Sequence, residues 1–444
     1  MRGNCRTSGT LRKEEGGNVF GLGSRTPIAL TLLVKKPTTE QQKAKIYYHE
    51  IGSFLAREQK LAELKRLGSV LNGQLQLSSI TPSKDHDWIN KKDDLFQTFI
   101  PLGDKKNEEV KTIFVPFYSR GVGTSRDAWV YNFSRSGLEN NVSSMIDFYN
   151  NNVDQLANIR KTNPDYSYNE IINLDPKKIS WTRGLKHDYS LLKKHEYQQL
   201  NIRLAVYRPF IKQNMYFDRY FNDMVCLFPR LFPTPQTKNL IICVSGLGGP
   251  KQHSVLISNE IVDLNCLDSG TQCFPLYYYE KEYRTRFAAD LKKSLPRIFF
   301  PATYEEFNKY REAGRHLAKL HLNYESGPLC SSVVVSGCEH GNFKVDKMRF
   351  LAKDDKRTII FNNDITIDNI PQEAYNYVIN GKSAIEWIME RYAVTIDKNS
   401  KIVNDPNQWS EDPRYVLDLL LRIIQMSLET LKIVNKLPKL NLPS

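Results

Sequence analysis

Residues 27–35 read Pro27-Ile28-Ala29-Leu30-Thr31-Leu32-Leu33-Val34-Lys35, a short and almost continuous apolar run. A run of this length predicts a strand covered on both faces, as in an α/β sheet. Lys43 to Glu50 (K-A-K-I-Y-Y-H-E) predicts a second strand after a polar turn, and Ser53 to Leu67 has helical spacing. Two strands and a helix make a domain edge and are too little for a whole domain. On the other side of the run, the first ten residues, M-R-G-N-C-R-T-S-G-T, carry no hydrophobic region of the signal-peptide type. The chain enters a glycine-rich loop and a buried-type strand almost at once, as a chain beginning mid-domain would.

From about residue 68 the pattern becomes mixed α+β. Short strands are predicted at Val110 to Tyr118, Ala128 to Phe133 and Asn239 to Ser245. Helical patches are predicted at Leu138 to Lys161, Tyr189 to Leu200, Glu280 to Lys293 and Tyr304 to Leu320. After Asn323 come a sheet-like stretch (Phe343 to Ile367), a helix at Ser383 to Tyr392, and a long amphipathic helix over Asp412 to Val434 with Pro413 in its first turn. Many irregular connections mark a body in which loops carry recognition.

The chain has 444 residues, enough for two to three domains, and a net charge of +13. The excess is uneven. Residues 177–219 hold ten Lys/Arg against three acids, which favours a polyanionic partner, the alternative being a solvated face that binds nothing in particular. Seven cysteines with no C-x-x-C pair argue against a zinc ribbon and a disulfide framework, and point to a reduced, cytoplasmic protein. No run approaches 18 apolar residues, so no membrane partner is expected.

Phe117 to Phe133 (F-Y-S-R-G-V-G-T-S-R-D-A-W-V-Y-N-F) packs arginines, glycines, hydroxyls and aromatic residues into one loop-then-strand segment. Arg120 and Arg126 offer planar forks for guanine edges or phosphates, and Gly121 and Gly123 allow close backbone approach to a polyanion. Ser119, Thr124, Ser125 and Asn132 add hydrogen-bonding groups. In the basic stretch, Arg183, Lys186, Arg208, Lys212 and Arg219 are further DNA-facing candidates. Ser245-Gly246-Leu247-Gly248-Gly249-Pro250-Lys251 follows a predicted strand and adds Lys251 as a phosphate contact, or is simply a tight glycine turn. It lacks the G-K-[ST] ending of a P-loop. Trp129, Tyr131, Tyr207 and Tyr216 suit a packed sheet better than base stacking.

Catalytic constellations are scarce. Asn163-Pro164-Asp165-Tyr166 differs from the N-P-P-Y loop of amino-methyltransferases by Asp165, and it follows a helix end rather than an apolar strand, so it reads as a turn. Phe20-Gly21-Leu22-Gly23 precedes a strand, whereas a cofactor loop follows one. The eight histidines show no metal spacing. No catalytic residue, cofactor residue or metal ligand is expected in this chain.

Gly16 to Pro37 resembles the tail of the amino-methyltransferase domain of type ISP restriction-modification enzymes, which join nuclease, helicase-like ATPase, adenine methyltransferase and DNA-specificity domains in one chain. Ile80-Thr81-Pro82, Phe117 to Phe133, Tyr207-Arg208-Pro209-Phe210, Phe228-Pro229-Arg230, Asp268 to Tyr277 and Leu320-His321-Leu322-Asn323-Tyr324 resemble that family's C-terminal specificity region. The resemblance implies three parts. Residues 1–52 are the last strands of an α/β methyltransferase sheet, 53–325 a mixed α/β target-recognition domain, and 326–444 a sheet and long helix closing the specificity region.

It also implies duplex DNA as partner, with the missing methyltransferase and helicase portion as a second. S-adenosylmethionine, ATP and Mg belong to the full-length enzyme and to none of these residues. Tyr279-Glu280-Lys281-Glu282 joins directly two motifs that the family separates by a helical stretch, through a shorter branch or a deletion. Two other functions stay open on the residues alone: an adenine methyltransferase using Asn163 to Tyr166, and a basic scaffold that binds DNA without reading it.

Overall fold

The Ser134 hydroxyl accepts from the Gly137 amide at 3.1 Å and so fixes where the helix Arg135–Thr162 begins. That helix buries Leu138, Val142, Met145, Tyr149, Val153 and Leu156 at helical spacing, against the strand Ile211–Tyr216. Each such side chain contributes roughly 1.5–3 kcal/mol by leaving water. The structure, a computed structural model, describes all residues except 1–2, 6–8, 21–23, 36–43, 72, 85, 90–91, 105–108, 115–117, 250, 268–269, 275–289, 292–293, 300, 302, 353–354 and 439–444.

Two four-stranded sheets position the candidate site. One has the order Ile261–Val262, Ile202–Arg208, Ile211–Tyr216, Tyr131–Asn132, with only the first pair parallel. The other has the order Ser119–Arg120, Gln272–Phe274, Ile241–Val244, Val255–Ser258 and is antiparallel throughout. The chain therefore crosses between the sheets four times, through residues 121–130, 217–240, 259–260 and 263–271. A third four-stranded antiparallel sheet follows, in the order Val334–Ser336, Thr366–Asp368, Asp355–Ile360, Arg349–Ala352.

The helix Tyr415–Asn435 buries Leu417, Leu419, Leu420, Ile423 and Ile424, so its first half is enclosed on most sides rather than amphipathic. It packs on the helices Tyr304–Leu322 and Ala384–Arg391. One continuous core runs from Val122 to Met426, across residues 325 and 326 where two parts were expected to meet. No helix among the described residues is long and apolar enough to cross a membrane.

The mixed α+β class holds, and several boundaries move. Residues 27–35 form no strand, and Leu30, Leu32, Leu33 and Val34 are 73–83 % exposed instead of covered, because no sheet among the described residues lies beside them. The second expected strand is Ile46–Tyr48, paired with Ser78–Ile80. Val110 to Tyr118 gives, among its described residues, only an irregular edge in which Phe114 N donates to Leu102 O.

Ala128 to Phe133 opens with a helical turn, Asp127–Val130, before the strand Tyr131–Asn132. The turn is set by Thr124, whose hydroxyl bonds the Asp127 carboxylate. The helix expected over 189–200 lies instead at Arg183–Ser190, since Thr182 caps it and Leu192 turns the chain with φ +57. Asn163 closes the long helix, and Tyr166 N donates to Asn163 O at 3.1 Å, a turn. The Phe20–Gly23 loop falls mostly, and the helix over 280–293 almost wholly, outside the described residues.

Candidate nucleic-acid interface

The crossings 121–130 and 263–271 touch, and the glycines of the first make that possible. Val122 N donates to Val262 O at 2.8 Å, Leu264 N to Val122 O at 2.8 Å, and Gly121 N to Thr271 O at 2.9 Å. A Cβ on Gly121 would stand 2.6 Å from Asp263 O, so the bare Cα is needed for this protein backbone. Gly123 and Met224 exchange both backbone bonds, at 2.9 and 2.8 Å, on the other side. The loop is thus a rigid, stitched element, and both glycines are buried.

Beneath it lies a polar cluster. Arg208 Nη1 donates to Asp263 Oδ1 at 2.8 Å, Tyr131 Oη to Asp263 Oδ2 at 3.3 Å, and Asn265 N to Asp263 Oδ1 at 2.8 Å. Burial pushes the Asp263 carboxyl up to about 6, against the pull of Arg208. Tyr207 Oη donates to Asp127 Oδ2 at 3.0 Å, and the Arg208 guanidinium stacks on its ring, 4.0 Å from the centroid.

The expected DNA-facing residues divide accordingly. Exposed or half-buried are Arg120, Ser125, Arg183, Lys186, Arg219 and Lys251. Ser119, Thr124, Arg126 and Asn132 are instead buried, at 1–4 % exposure. Asn132 Nδ2 donates to Val403 O at 3.0 Å, and Ser119 Oγ accepts from Leu227 N at 3.0 Å. Arg126 Nη2 donates to Thr182 Oγ1 at 2.9 Å, and burial lowers its pKa to about 10. Arg208 and Lys212 sit in ion pairs, with Asp263 and Glu325. Ser119, Thr124 and Arg126 shape the loop from within, because inward-facing polar groups in a stitched loop bond to the protein.

Arg120 projects from the strand edge, with its Nη2 3.2 Å from where a Cβ of Gly270 (φ +93) would be, so glycine leaves it room. Ser125 (φ +54) donates to Asp223 Oδ2 at 3.0 Å, which brings the 218–226 turn and Arg219 beside the loop. The Arg126–Thr182 bond ties the helix that carries Arg183 and Lys186 to the loop. Lys251 lies elsewhere, 5.9 Å from the ring centroid of Trp387, within the hairpin turn closed by Ser254 N donating to Ser245 Oγ at 2.9 Å. Trp129, Tyr131 and Tyr216 are buried and Tyr207 half-buried, in packed positions. Asp127, Thr182 and Asp263 went unread in the sequence. The T-x-x-D spacing of Thr124 and Asp127, and the T-R-G-L opening of the helix at Thr182, were the available signals.

A rigid α+β scaffold that presents basic side chains from stitched loops defines a recognition domain. Residues 112–282 and 280–419 match the Type ISP C-terminal specificity domain, and this chain belongs to that family. The two stretches meet at 280–282, inside Tyr279-Glu280-Lys281-Glu282, and that junction lies outside the described residues.

Among solved structures, a nuclease-deletion mutant of the Type ISP restriction-modification enzyme LlaGI in complex with a DNA substrate mimic is 38% identical, with TM-score 0.89 over 99% of this chain and 36% of that one. The ATP-dependent Type ISP enzyme LlaBIII bound to DNA is 33% identical, with TM-score 0.87 over 100% of this chain and 30% of that one. A cryoEM structure of a DrdV–DNA complex is 26% identical, with TM-score 0.81, over 100% and 47%. This chain spans less than half the length of each. No curated protein sequence matches it.

Proposed function

We propose that this chain reads a duplex DNA sequence for a type ISP restriction-modification enzyme and leaves methyl transfer and cleavage to other parts of that enzyme. The observation that carries the reading is the specificity-domain match together with 33–38% identity to two type ISP enzymes solved on DNA or a DNA mimic. The surface supports it. Arg120 and Ser125 on the loop, and Arg183, Lys186 and Arg219 on the elements bonded to it, are the exposed or half-buried groups through which phosphate contacts would set the register and a few side chains reach base edges. Lys251 is a separate phosphate contact. Gly121, Gly123, Arg126, Asn132 and Arg208 hold the scaffold around the loop in shape.

Residues 1–52 are the tail of an amino-methyltransferase sheet in this reading. The exposed Leu30, Leu32, Leu33 and Val34 support it, since an apolar strip of this kind needs a covering sheet. The partners are then duplex DNA and the methyltransferase–helicase portion. S-adenosylmethionine, ATP and Mg would be bound there.

Selection of duplexes from a random pool on the purified chain tests the reading, with a single enriched motif as the expected result. Recovery of sequences no different from the input would make the chain a non-specific basic binder. Transfer of labelled methyl groups to DNA by the isolated chain would overturn the assignment of chemistry elsewhere.

A further inference from the structure

The helix Arg183–Ser190 starts beside a buried cation that the described residues leave largely unpaired. Arg126 is 4 % exposed, and its Nε and Nη1 have no hydrogen-bond partner. Its Nη2 bonds Thr182 Oγ1, the cap of this helix, at 2.9 Å, so the guanidinium lies against the helix's amino end. Asp223 is the acid whose field Arg126 feels, and its carboxylate is held by Ser125 Oγ at 3.0 Å. A buried guanidinium without a contacting carboxylate leaves positive charge to be balanced from outside.

The amino end itself is open. Thr182 takes the amides of Leu185 and Lys186, at 3.2 and 3.0 Å, while those of Arg183 and Gly184 have no partner among the described residues. Beyond its chain neighbours and the helix's own backbone, nothing lies within 4 Å of a Cβ placed on Gly184. Arg183 is exposed and Lys186 half-buried beside it. Two free amides, the positive end of the helix dipole, a buried cation behind and two cationic side chains around form a receptor for a tetrahedral oxyanion.

We propose that the Arg183 and Gly184 amides, backed by Arg126, seat one backbone phosphate of the bound duplex. The proposal rests on the DNA reading above, and it makes this helix end a register-setting contact that carries no sequence information. Lys186 and Arg183 close around the phosphate from the sides. Asp223, on the flank, repels a second phosphate and so limits how far the backbone can slide.

The test is fluorescence anisotropy of labelled duplex on the full 444-residue chain across a salt series, with Gly184→Asp, Gly184→Asn and, as an equal-charge change at an exposed turn in the third sheet, Asn363→Asp. An aspartate in the first turn favours the helix while occupying the seat with its own charge. Gly184→Asp should therefore lose at least tenfold in affinity and flatten the log–log salt slope by about 0.9, with a melting midpoint no lower than that of the parent.

Gly184→Asn should lose at least fivefold less than Gly184→Asp, and Asn363→Asp less than twofold. Equal losses for the Asp and Asn changes at 184, or parental binding by Gly184→Asp, overturn the seat. If the parent binds no duplex, the DNA reading fails by itself. Inorganic phosphate against chloride at equal ionic strength then decides the seat: a midpoint raised in the parent and not in Gly184→Asp upholds it, and no rise removes it.

Discussion

Arg208 Nη1 and Asp263 Oδ1 stand 2.8 Å apart in the interior, directly below the point where the crossings 121–130 and 263–271 touch. The pair ties the end of the strand Ile202–Arg208 to the turn that carries the 263–271 crossing. Asp263→Ala leaves a buried guanidinium uncompensated and should cost about 3–5 kcal/mol in chemical denaturation. The double change Arg208→Met with Asp263→Leu removes both charges together and should recover at least half of that loss. Additive losses in the double variant would mean that the two residues act independently.

Gly121 and Gly184 make a matched contrast. A methyl group on Gly121 meets the backbone of Asp263 and Leu264 at 2.6–2.7 Å, whereas one on Gly184 meets nothing beyond its chain neighbours and its own helix. Gly121→Ala should therefore lose about 1–3 kcal/mol through forced displacement of the crossing. Gly184→Ala should gain about 0.4–1 kcal/mol by restricting the unfolded chain. Thermal melts of the two variants side by side measure both signs.

The contrast also shows where the sequence was legible. The helices Arg135–Thr162, Tyr304–Leu322 and Tyr415–Asn435 were readable, because caps and helical spacing are local properties. The family was readable from motifs. The facing of side chains was not. Arg126 and Arg120 are six residues apart in one loop, yet one lies inside and the other outside, because Arg126 is drawn to Thr182 and Arg120 leaves the strand edge beside Gly270. Those partners are 56 and 150 residues away, and no local pattern announces them. The run 27–35 misled for a related reason: apolar composition says that a strand wants a cover, and leaves open whether these residues supply it.

His321 gives the fold an acid-side weakness. Its ring is held between helices, with Nε2 2.9 Å from Thr430 Oγ1, at the edge of an apolar cavity bordered by Leu256, Tyr310 and Ile379. Burial lowers its pKa to about 4, from an ordinary value near 6.5. The unfolded chain therefore takes up the proton first as pH falls. The stability is fully present above about 6.5 and is lost as pH drops toward 4, by about 3 kcal/mol in all. Urea melts at pH 7 and pH 4.5 should show that loss in the parent relative to His321→Gln, a difference in which other titrating groups cancel.

Arg120 and Arg219 should divide the work of binding. Arg120 rises from a strand paired with Gln272, and its neighbour Gly121 is tied to Thr271, so its guanidinium starts from a fixed base, as a base-reading fork requires. Arg219 extends from an exposed turn and rests on the Tyr220 ring at 4.9 Å, a placement suited to a mobile phosphate contact. Arg120→Ala should relax preference at a single position of the selected motif by about 1–3 kcal/mol while other positions keep theirs. Arg219→Ala should weaken all duplexes alike and flatten the salt slope by about 0.9. Competition binding over single-position variants of the selected site distinguishes the two, and a uniform loss from Arg120→Ala would reassign it to the backbone.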